Sequence, residues 1–298
     1  MYALGTFADA RGAFAGVVAG GERVLPVEGT TRELLADWER SQERLAALAE
    51  ADGDWRELAS LRVLAPVMPV HVLQSGANYR RHVLDIIVAE ERERATMTDA
   101  AARAMGERIM DERAATGDPY VFLGAPGAIC GAYDDVVLPA AGEQHDWELE
   151  LACVLGPDAT IAGYTIANDL TTRDLVYRPD LKAIGTDWLR SKNAPTFLPV
   201  GPWIVPAAFV PDPMDLRITL RLNGDVMQDE STSDMIFDVE RLRAYATERV
   251  AVVPGDLLLT GSPAGNGMHH RRFLGPGDVM DCEITGLGTQ RNRCVAAA

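Results

Sequence analysis

Two glutamates in one short segment have the spacing that could create a chemical site. Residues 147–151 alternate between apolar and polar side chains, and successive side chains of a β-strand point to opposite faces. Glu148 and Glu150 are therefore predicted to share one face of a strand. Two adjacent carboxylates repel and raise each other's pKa unless a cation lies between them. The spacing alone fits either a cation site or a solvent-facing strand that carries two acids.

The segments around and after these glutamates form an ordered series of motifs. The series is E-x-E-L-x-x-V-x-G (148–156), G-Y-x-x-x-N-D-x-x-x-R-D (163–174), S-K-x-x-x-T-F-x-P-x-G-P-W (191–203), P-G-D-L-L-L-T-G-S-P-A-G (254–265) and G-P-G-D-V (275–279). Each motif is weak evidence alone, but all five occur in order. Over about residues 70–292 the chain resembles the core of the fumarylacetoacetate hydrolase family.

The resemblance implies an α+β fold class and a domain organisation. Residues 70–298 are expected to form the catalytic domain, a mixed β-roll of the family's C-terminal-domain type that is usually a homodimer. A small N-terminal module of strands and helices is expected at residues 1–65. A helical insertion is expected at about residues 86–118, which are rich in helix formers with opposite charges three to four residues apart. This insertion would be either a solvated arm or a mobile lid.

The resemblance also implies a metal site. The family's ligand positions correspond to Glu148, Glu150 and Asp169 in this chain. Three hard oxygen donors suit Mg²⁺ or Mn²⁺, with Ca²⁺ as a further possibility, and they leave coordination positions for water and substrate.

Further residues match positions in the family's pocket. Lys192 is implied to contact the substrate and the charge of the transition state, and Thr196 is implied to line the same pocket. Arg173 is implied to orient carboxylates through bidentate hydrogen bonds, and Ser262 is expected to contact the substrate. Many members have a glutamine three residues after the arginine, whereas this chain has Val176, so one polar substrate contact is missing.

A histidine and an acid match the family's N-Y-x-x-H-x-x-E motif on a short helix. His82 and Asp85 are three residues apart and share one helical face, so Asp85 could hold the His82 ring. His82 would then deprotonate a water molecule as a general base. Asp85 replaces the family's usual glutamate and has a shorter reach. The alternative is an ordinary histidine on a helix surface.

The implied activity is that of a divalent-metal-dependent enzyme acting on a small anionic 2-oxo acid or 1,3-diketo acid. Hydrolysis of a carbon–carbon bond in an acylpyruvate-type substrate fits best, with the cation and Lys192 stabilising the departing enolate. Decarboxylation of oxaloacetate and hydration or isomerisation of unsaturated 2-oxo diacids are alternatives, because fold does not choose between them. A catalytically inactive protein that binds metal or ligand is the alternative from another class.

The composition bears on partners and on location. The 28 basic and 44 acidic residues give a formal charge of −16, which disfavours nucleic acid and anionic membranes as partners. An anionic substrate would therefore need local positive charge from a metal or a basic side chain. Residues 1–5 lack the basic start of a signal peptide, and the four cysteines form no C-x-x-C pair. A cytoplasmic location is expected.

The elements that must position these residues are mostly strands. Short strands are predicted within residues 1–28, helical spacing covers 31–60, and the chain after Phe122 consists of short apolar runs between turns. A helix interrupts this pattern at 238–249.

One basic run lies outside the family pattern. His269, His270, Arg271 and Arg272 are adjacent in the loop that follows Gly267. They could attract a metal or an anion, but adjacent side chains on a loop rarely converge. The run is predicted to be a surface loop.

Overall fold

Pairing between strands that are distant in sequence organises the chain into three sheets. The computed structural model describes residues 1–181, 183 and 185–297. The strands are β1 (Tyr2–Asp9), β2 (Gly12–Ala19), β3 (Arg23–Val27), β4 (Arg56–Glu57), β5 (Arg62–Val63), β6 (Val72–Gly76), β7 (Tyr120–Gly124), β8 (Ile129–Gly131), β9 (Val136–Leu138), β10 (His145–Asp146), β11 (Leu149–Leu155), β12 (Ile161–Asn168), β13 (Thr171–Thr172), β14 (Leu198–Pro206), β15 (Arg217–Leu222), β16 (Asp225–Ser231), β17 (Leu257–Leu259), β18 (Val279–Ile284) and β19 (Gly288–Ala296). The helices are α1 (Thr31–Ala36), α2 (Trp38–Glu50), α3 (Arg80–Arg94), α4 (Asp99–Thr116), α5 (Trp188–Lys192), α6 (Val239–Thr247) and α7 (Gly267–His270).

The largest sheet has twelve strands and carries β11 and β12 near its centre. Its order is β4-β3-β2-β1-β14-β12-β11-β17-β6-β7, with β5 beside β1 and β8 beside β14. β11 and β12 pair antiparallel, with Leu149 opposite Asn168 and Glu150 opposite Ala167. Every residue of β11 is buried, because both faces of this sheet are covered.

A five-stranded sheet covers one face of the large sheet. Its order is β16-β15-β18-β19-β9. Ile218 and Leu220 of β15 belong to the same buried cluster as Leu149 and Leu151 of β11, so side chains of both sheets form one core. Ala152 belongs to a second cluster on the opposite face. This alternation confirms the period-two prediction for β11, and the fold is the expected mixed α+β roll.

The N-terminal strands continue the large sheet. β1 pairs antiparallel with β14, with Leu4 opposite Ile204, so the predicted 1–65 module is joined to the rest by backbone pairing. The prediction of helical structure through residue 60 is wrong, because α2 ends at Glu50. Residues 51–54 are Ala-Asp-Gly-Asp, and aspartate and glycine are poor residues for a helix interior.

The predicted helical insertion consists of two helices that pack against each other. It begins at Arg80 instead of about residue 86, and α3 and α4 pack closely where Gly106 meets Leu84. A Cβ atom on Gly106 would lie 2.7 Å from Cδ2 of Leu84. Val83, Leu84 and Met110 form a small buried cluster between the two helices, and Ile236, which precedes α6, packs against it.

Two checks on the sequence predictions concern membranes and cysteines. Among the helices in the described part of the chain, none combines the length and apolar character needed to cross a bilayer. Cys130, Cys153, Cys282 and Cys294 are all buried free thiols, in agreement with the absence of a disulfide or zinc pattern.

An arginine of α6 holds the C-terminal end of α4. The guanidinium of Arg241 donates hydrogen bonds of 2.7 Å to the carbonyl oxygens of Ala114 and Gly117, which have no partner within α4 itself. The same guanidinium lies 4.6 Å from the ring centroid of Phe237. Arg241 therefore anchors the C-terminal end of α4 to α6, just before the chain enters β7.

We expect Arg241→Met to lower the free energy of unfolding by about 1–3 kcal/mol, because two partly buried carbonyl groups lose their charged donor. Hydrogen exchange measured by mass spectrometry should rise in α4. Arg243→Met is the control, since the ion pair of Arg243 with Glu240 stays within α6. Equal exchange in α4 for both variants would contradict this anchoring role.

Candidate metal and substrate site

Three buried carboxylates meet where β11 begins and β12 ends. Candidate ligand oxygens of Glu148, Glu150 and Asp169 all lie within 4.8 Å of one another. The antiparallel pairing produces this convergence, because the amide of Asp169 donates to the carbonyl of Glu148 at 2.9 Å. The amide of Glu148 in turn donates to Oδ1 of Asn168 at 2.9 Å. These hydrogen bonds therefore fix the backbone positions from which the Glu148 and Asp169 side chains extend.

A lysine contacts two of these carboxylates. Nζ of Lys192 donates hydrogen bonds of 2.6 Å to Oε2 of Glu148, Oδ2 of Asp169 and Oγ1 of Thr171. Lys192 lies at the end of the short helix α5 and is only 4% exposed. Burial acts to lower the pKa of Lys192, but the carboxylates of Asp169 and Glu148 outweigh it and raise that pKa. Lys192 is therefore charged at neutral pH.

An arginine links the triad to a fourth carboxylate. Nε of Arg173 donates to Oδ2 of Asp146 at 2.7 Å, and its Nη2 donates to Oε1 of Glu148 at 2.5 Å. Asp146 also accepts hydrogen bonds from the amides of Gly267, at 2.5 Å, and Met268, at 3.2 Å. Arg173 thus holds two carboxylates with one donor on each, in place of a bidentate contact with one acid, and its contact with substrate stays a prediction.

Burial and charge separate the pKa values of the three acids. Burial raises the pKa of Glu150 well above its usual value, and the negative charges of Asp169 and Glu148 add to this. Burial also raises the pKa of Asp169 to about 6, although Lys192 opposes it. For Glu148, burial is outweighed by Arg173 and Lys192, so the pKa of Glu148 lies below its usual range.

The charges of this cluster fit a divalent cation. Asp146, Glu148, Glu150 and Asp169 are four buried acids, while Arg173 and Lys192 supply two positive charges. With all four acids ionised, two positive charges are missing. A divalent cation held by hard oxygen donors would supply both. Glu148, Glu150 and Asp169 are the residues that would hold it.

Two neighbouring groups hold two further oxygens of the triad. Nε2 of Gln74 donates to Oδ1 of Asp169 at 2.6 Å, and the amide of Gly261 donates to Oε2 of Glu150 at 2.7 Å. Gly261 has a φ of +92°, and a Cβ there would lie 3.1 Å from Cβ of Asn78. A side chain at position 261 would therefore strain the backbone that orients Glu150.

His82 and Asp85 lie on α3 and line the cavity between α3, α4 and the loop that contains α7, but the expected contact between them is not formed. No hydrogen bond or ion pair joins the two among the residues that the structure describes. Instead, Oδ1 of Asp85 lies 3.4 Å from Nη2 of Arg103, and its Oδ2 lies 3.7 Å from Nδ1 of His269. Burial lowers the pKa of His82 to about 4, so the ring is neutral at pH 7.

The two other predicted substrate contacts make hydrogen bonds within the protein. Oγ1 of Thr196 accepts a hydrogen bond of 2.7 Å from the amide of Val137. Oγ of Ser262 accepts one of 3.0 Å from Nε2 of Gln228, next to the Gly261 amide that holds Glu150. Contacts of Thr196 and Ser262 with substrate stay predictions.

Asp146 and Gln74 contact the site although they were not predicted from the sequence. Asp146 precedes Glu148 by two residues, so the period-two spacing that predicts the glutamate pair extends to it. Gln74 lies on β6, which reaches the site through parallel pairing with β17, and no local spacing indicates such a contact.

Comparisons with known proteins agree with this fold. A family model described as fumarylacetoacetate (FAA) hydrolase C-terminal matches residues 71–295. The human protein named oxaloacetate tautomerase FAHD2B, mitochondrial, is 39% identical over 190 residues, which are 60% of this chain and 59% of that protein. A 2,4-didehydro-3-deoxy-L-rhamnonate hydrolase of Sphingomonas sp. (strain SKA58) is 39% identical over 189 residues, 59% of this chain and 65% of that protein. The matches thus cover less than two thirds of these relatives.

A solved structure extends the likeness to the whole chain. The crystal structure of 2-hydroxyhepta-2,4-diene-1,7-dioate isomerase from Mycobacterium marinum has a TM-score of 0.72 and 29% sequence identity. It covers 100% of both chains. The three proteins named here are, by their names, a tautomerase, a hydrolase and an isomerase.

We expect Glu150→Gln to weaken Mn²⁺ binding by more than about 100-fold, because it removes a charged ligand. Asp146→Asn should weaken binding by about 10–100-fold, because Arg173 would lose one of its two acids. Isothermal titration with Mn²⁺ measures both effects. Glu143→Gln, which changes an exposed acid nearby, is the matched control and should bind normally. Wild-type affinity in Glu150→Gln would contradict the ligand assignment.

Proposed function

This chain belongs to the fumarylacetoacetate hydrolase family, and we propose that it is a divalent-metal-dependent enzyme acting on a 2-oxo acid or a 1,3-diketo acid. The observation that carries the proposal is the buried cluster of four carboxylates and two cations, which lacks two positive charges when all four acids are ionised. The relatives named above are enzymes for oxo acids or their enol and unsaturated forms. Hydrolysis of a carbon–carbon bond in an acylpyruvate-type substrate is the first candidate reaction.

Mg²⁺ or Mn²⁺ is the proposed cation, and Ca²⁺ is a third possibility, because all proposed ligands are carboxylate oxygens. Such a cation would supply a Lewis acid that lowers the energy of negative charge developing on a 2-oxo group. Lys192 is the proposed second source of positive charge. Its ammonium group is buried among acids and stays protonated, so its positive charge can stabilise negative charge that develops on a substrate oxygen.

His82 is the proposed proton acceptor. Its ring is neutral at pH 7 because burial lowers its pKa, and it lines the cavity between α3, α4 and the loop that contains α7. In hydrolysis His82 takes a proton from water, and the hydroxide adds to the distal carbonyl. The carbon–carbon bond then breaks and leaves a carboxylic acid and an enolate. The enolate is protonated on carbon to give the second acid.

Tautomerisation or isomerisation of a 2-oxo diacid is the second candidate reaction. One structural observation favours it: Asp85 contacts Arg103 and His269 instead of orienting His82 towards a water molecule. A proton transfer between carbon and oxygen needs an acid and a base but no bound water. The oxaloacetate tautomerase and the dioate isomerase among the similar proteins agree with this alternative. Oxaloacetate decarboxylation uses the same enolate chemistry and belongs in the same test.

Assembly and location complete the proposal. We propose a homodimer in the cytoplasm, with the small anionic substrate as the main partner and with no nucleic acid or membrane partner. The formal charge of −16 supports the exclusion of polyanions. Analytical ultracentrifugation of the purified chain tests the dimer.

We expect the chain to be inactive after chelation and active again with Mg²⁺ or Mn²⁺ on at least one member of a substrate panel. The panel contains an acylpyruvate, oxaloacetate and an unsaturated 2-oxo diacid, with products followed by absorbance and NMR. Appearance of pyruvate from the acylpyruvate identifies the hydrolase, while keto–enol exchange of oxaloacetate identifies the tautomerase. Metal-dependent binding of these acids without any turnover would instead identify an inactive binding protein.

We expect Lys192→Met to lower kcat by about 100-fold or more, because a buried positive charge at the reacting oxygen is lost. Arg190→Met is the matched control, since Arg190 is an exposed cation on the same helix. Thermal unfolding with and without Mn²⁺ should establish that both variants fold and bind metal. An unchanged kcat in Lys192→Met would exclude Lys192 from the chemistry.

A further inference from the structure

A cavity of 580 Å³ lies between the α3–α4 pair and the loop that contains α7. This volume is in the range of small-molecule sites. Ile86 and Ala100 contribute apolar walls on the helical side. The opposite wall is formed by the loop, which also contacts the carboxylate cluster. The backbone amides of Gly267 and Met268 in that loop donate hydrogen bonds to Asp146. A ligand bound to the triad could therefore extend into this cavity.

Asn266 lines the cavity with an amide group that has no protein partner. Its side chain is only 2% exposed, and its Nδ2 atom is buried without a hydrogen bond to any described residue. Asn266 precedes α7, but its side chain makes no capping hydrogen bond there. A buried amide without partners costs free energy unless a ligand or water satisfies it. The position of Asn266 thus indicates a polar group of a ligand.

The charged residues around the cavity leave one cation available. Arg92 pairs with Asp99, and Arg103 lies 3.4 Å from Asp85. Arg271 also lines the cavity, next to α7, and no ion pair involves it in the part of the chain that the structure describes. A positive group without a counter-charge beside an unsatisfied amide is suited to a carboxylate.

We propose that Asn266 and Arg271 form a subsite for the far carboxylate of a 2-oxo diacid. This inference rests on the proposed function, in which the 2-oxo carboxylate end of the substrate lies at the triad. The Asn266 amide donates one hydrogen bond to the far carboxylate, and the Arg271 guanidinium supplies charge. Ile86 and Ala100 contact the carbon chain between the two ends. The preferred substrate is thus a diacid with a spacer of several carbon atoms, and monoacids bind less tightly.

Two ligands of equal length test this subsite. In 2-oxoadipate the terminal group is a carboxylate, and in 2-oxohexanoate it is a methyl group. Isothermal titration in the presence of Mn²⁺ should give a Kd for 2-oxoadipate that is lower by about tenfold or more, as expected for a hydrogen-bonded charged group. The quantity compared is the Kd of 2-oxohexanoate divided by the Kd of 2-oxoadipate. In Arg271→Met and Asn266→Val this ratio should fall towards one.

The ratio is measured within each variant, so a general loss of stability or metal affinity cancels. Arg108→Met is the matched control, because Arg108 is an exposed arginine of α4 that does not line the cavity, and it should keep the wild-type ratio. In Asn266→Asp this ratio should be lower than in Asn266→Val, because the new carboxylate repels the far carboxylate of the diacid.

The outcomes separate the subsite from the proposed function. A wild-type ratio near one, or a ratio unchanged in both Arg271→Met and Asn266→Val, would overturn the subsite while metal-dependent binding of both acids still supports the function. If Mn²⁺ binds but neither acid does, the proposed function fails and the subsite fails with it.

Discussion

The burial of four carboxylates beside only two cations is the constraint on which the rest of the structure depends. An isolated buried charge is too costly to keep, so each acid needs a partner that the fold must deliver. Arg173 comes from the turn after β13, and Lys192 comes from α5. Gln74 and the Gly261 amide come from either side of the β6–β17 pair. The site thus forms where β6, β11, β12 and β17 of the large sheet meet α5 and the turn after β13.

Close packing explains why such a site keeps its shape. β11 is buried on both faces, with Leu149 and Leu151 in one cluster and Ala152 in the other. Glu150 therefore projects from a strand that cannot shift without disturbing two cores, and Glu148 directly precedes that strand. Backbone amides, which have fewer degrees of freedom than side chains, hold Glu150 and Asp146. Rigid support of this kind preorganises charge for binding and catalysis.

The sequence predicts the parts of this molecule that depend on short-range periodicity. The alternation in residues 147–151 predicts the faces of β11, and its extension by one period reaches Asp146. It does not predict Gln74, because parallel pairing of β6 with β17 joins segments that share no local pattern. The three-residue spacing of His82 and Asp85 correctly predicts one helical face. It fails to predict their contact, because Arg103 of α4 competes for Asp85 from outside the helix.

The loop around α7 contacts both the carboxylate cluster and the neighbouring cavity. Its Gly267 and Met268 amides hold an acid of the carboxylate cluster, while Asn266 and Arg271 face the neighbouring cavity. Free-energy coupling between two sites is reciprocal, so whatever shifts this loop from the cavity side also shifts Asp146 and Arg173. The proposed metal site and the proposed carboxylate subsite would consequently be linked through this loop. Divergence towards new substrates through this loop is limited to changes that leave two backbone amides in place.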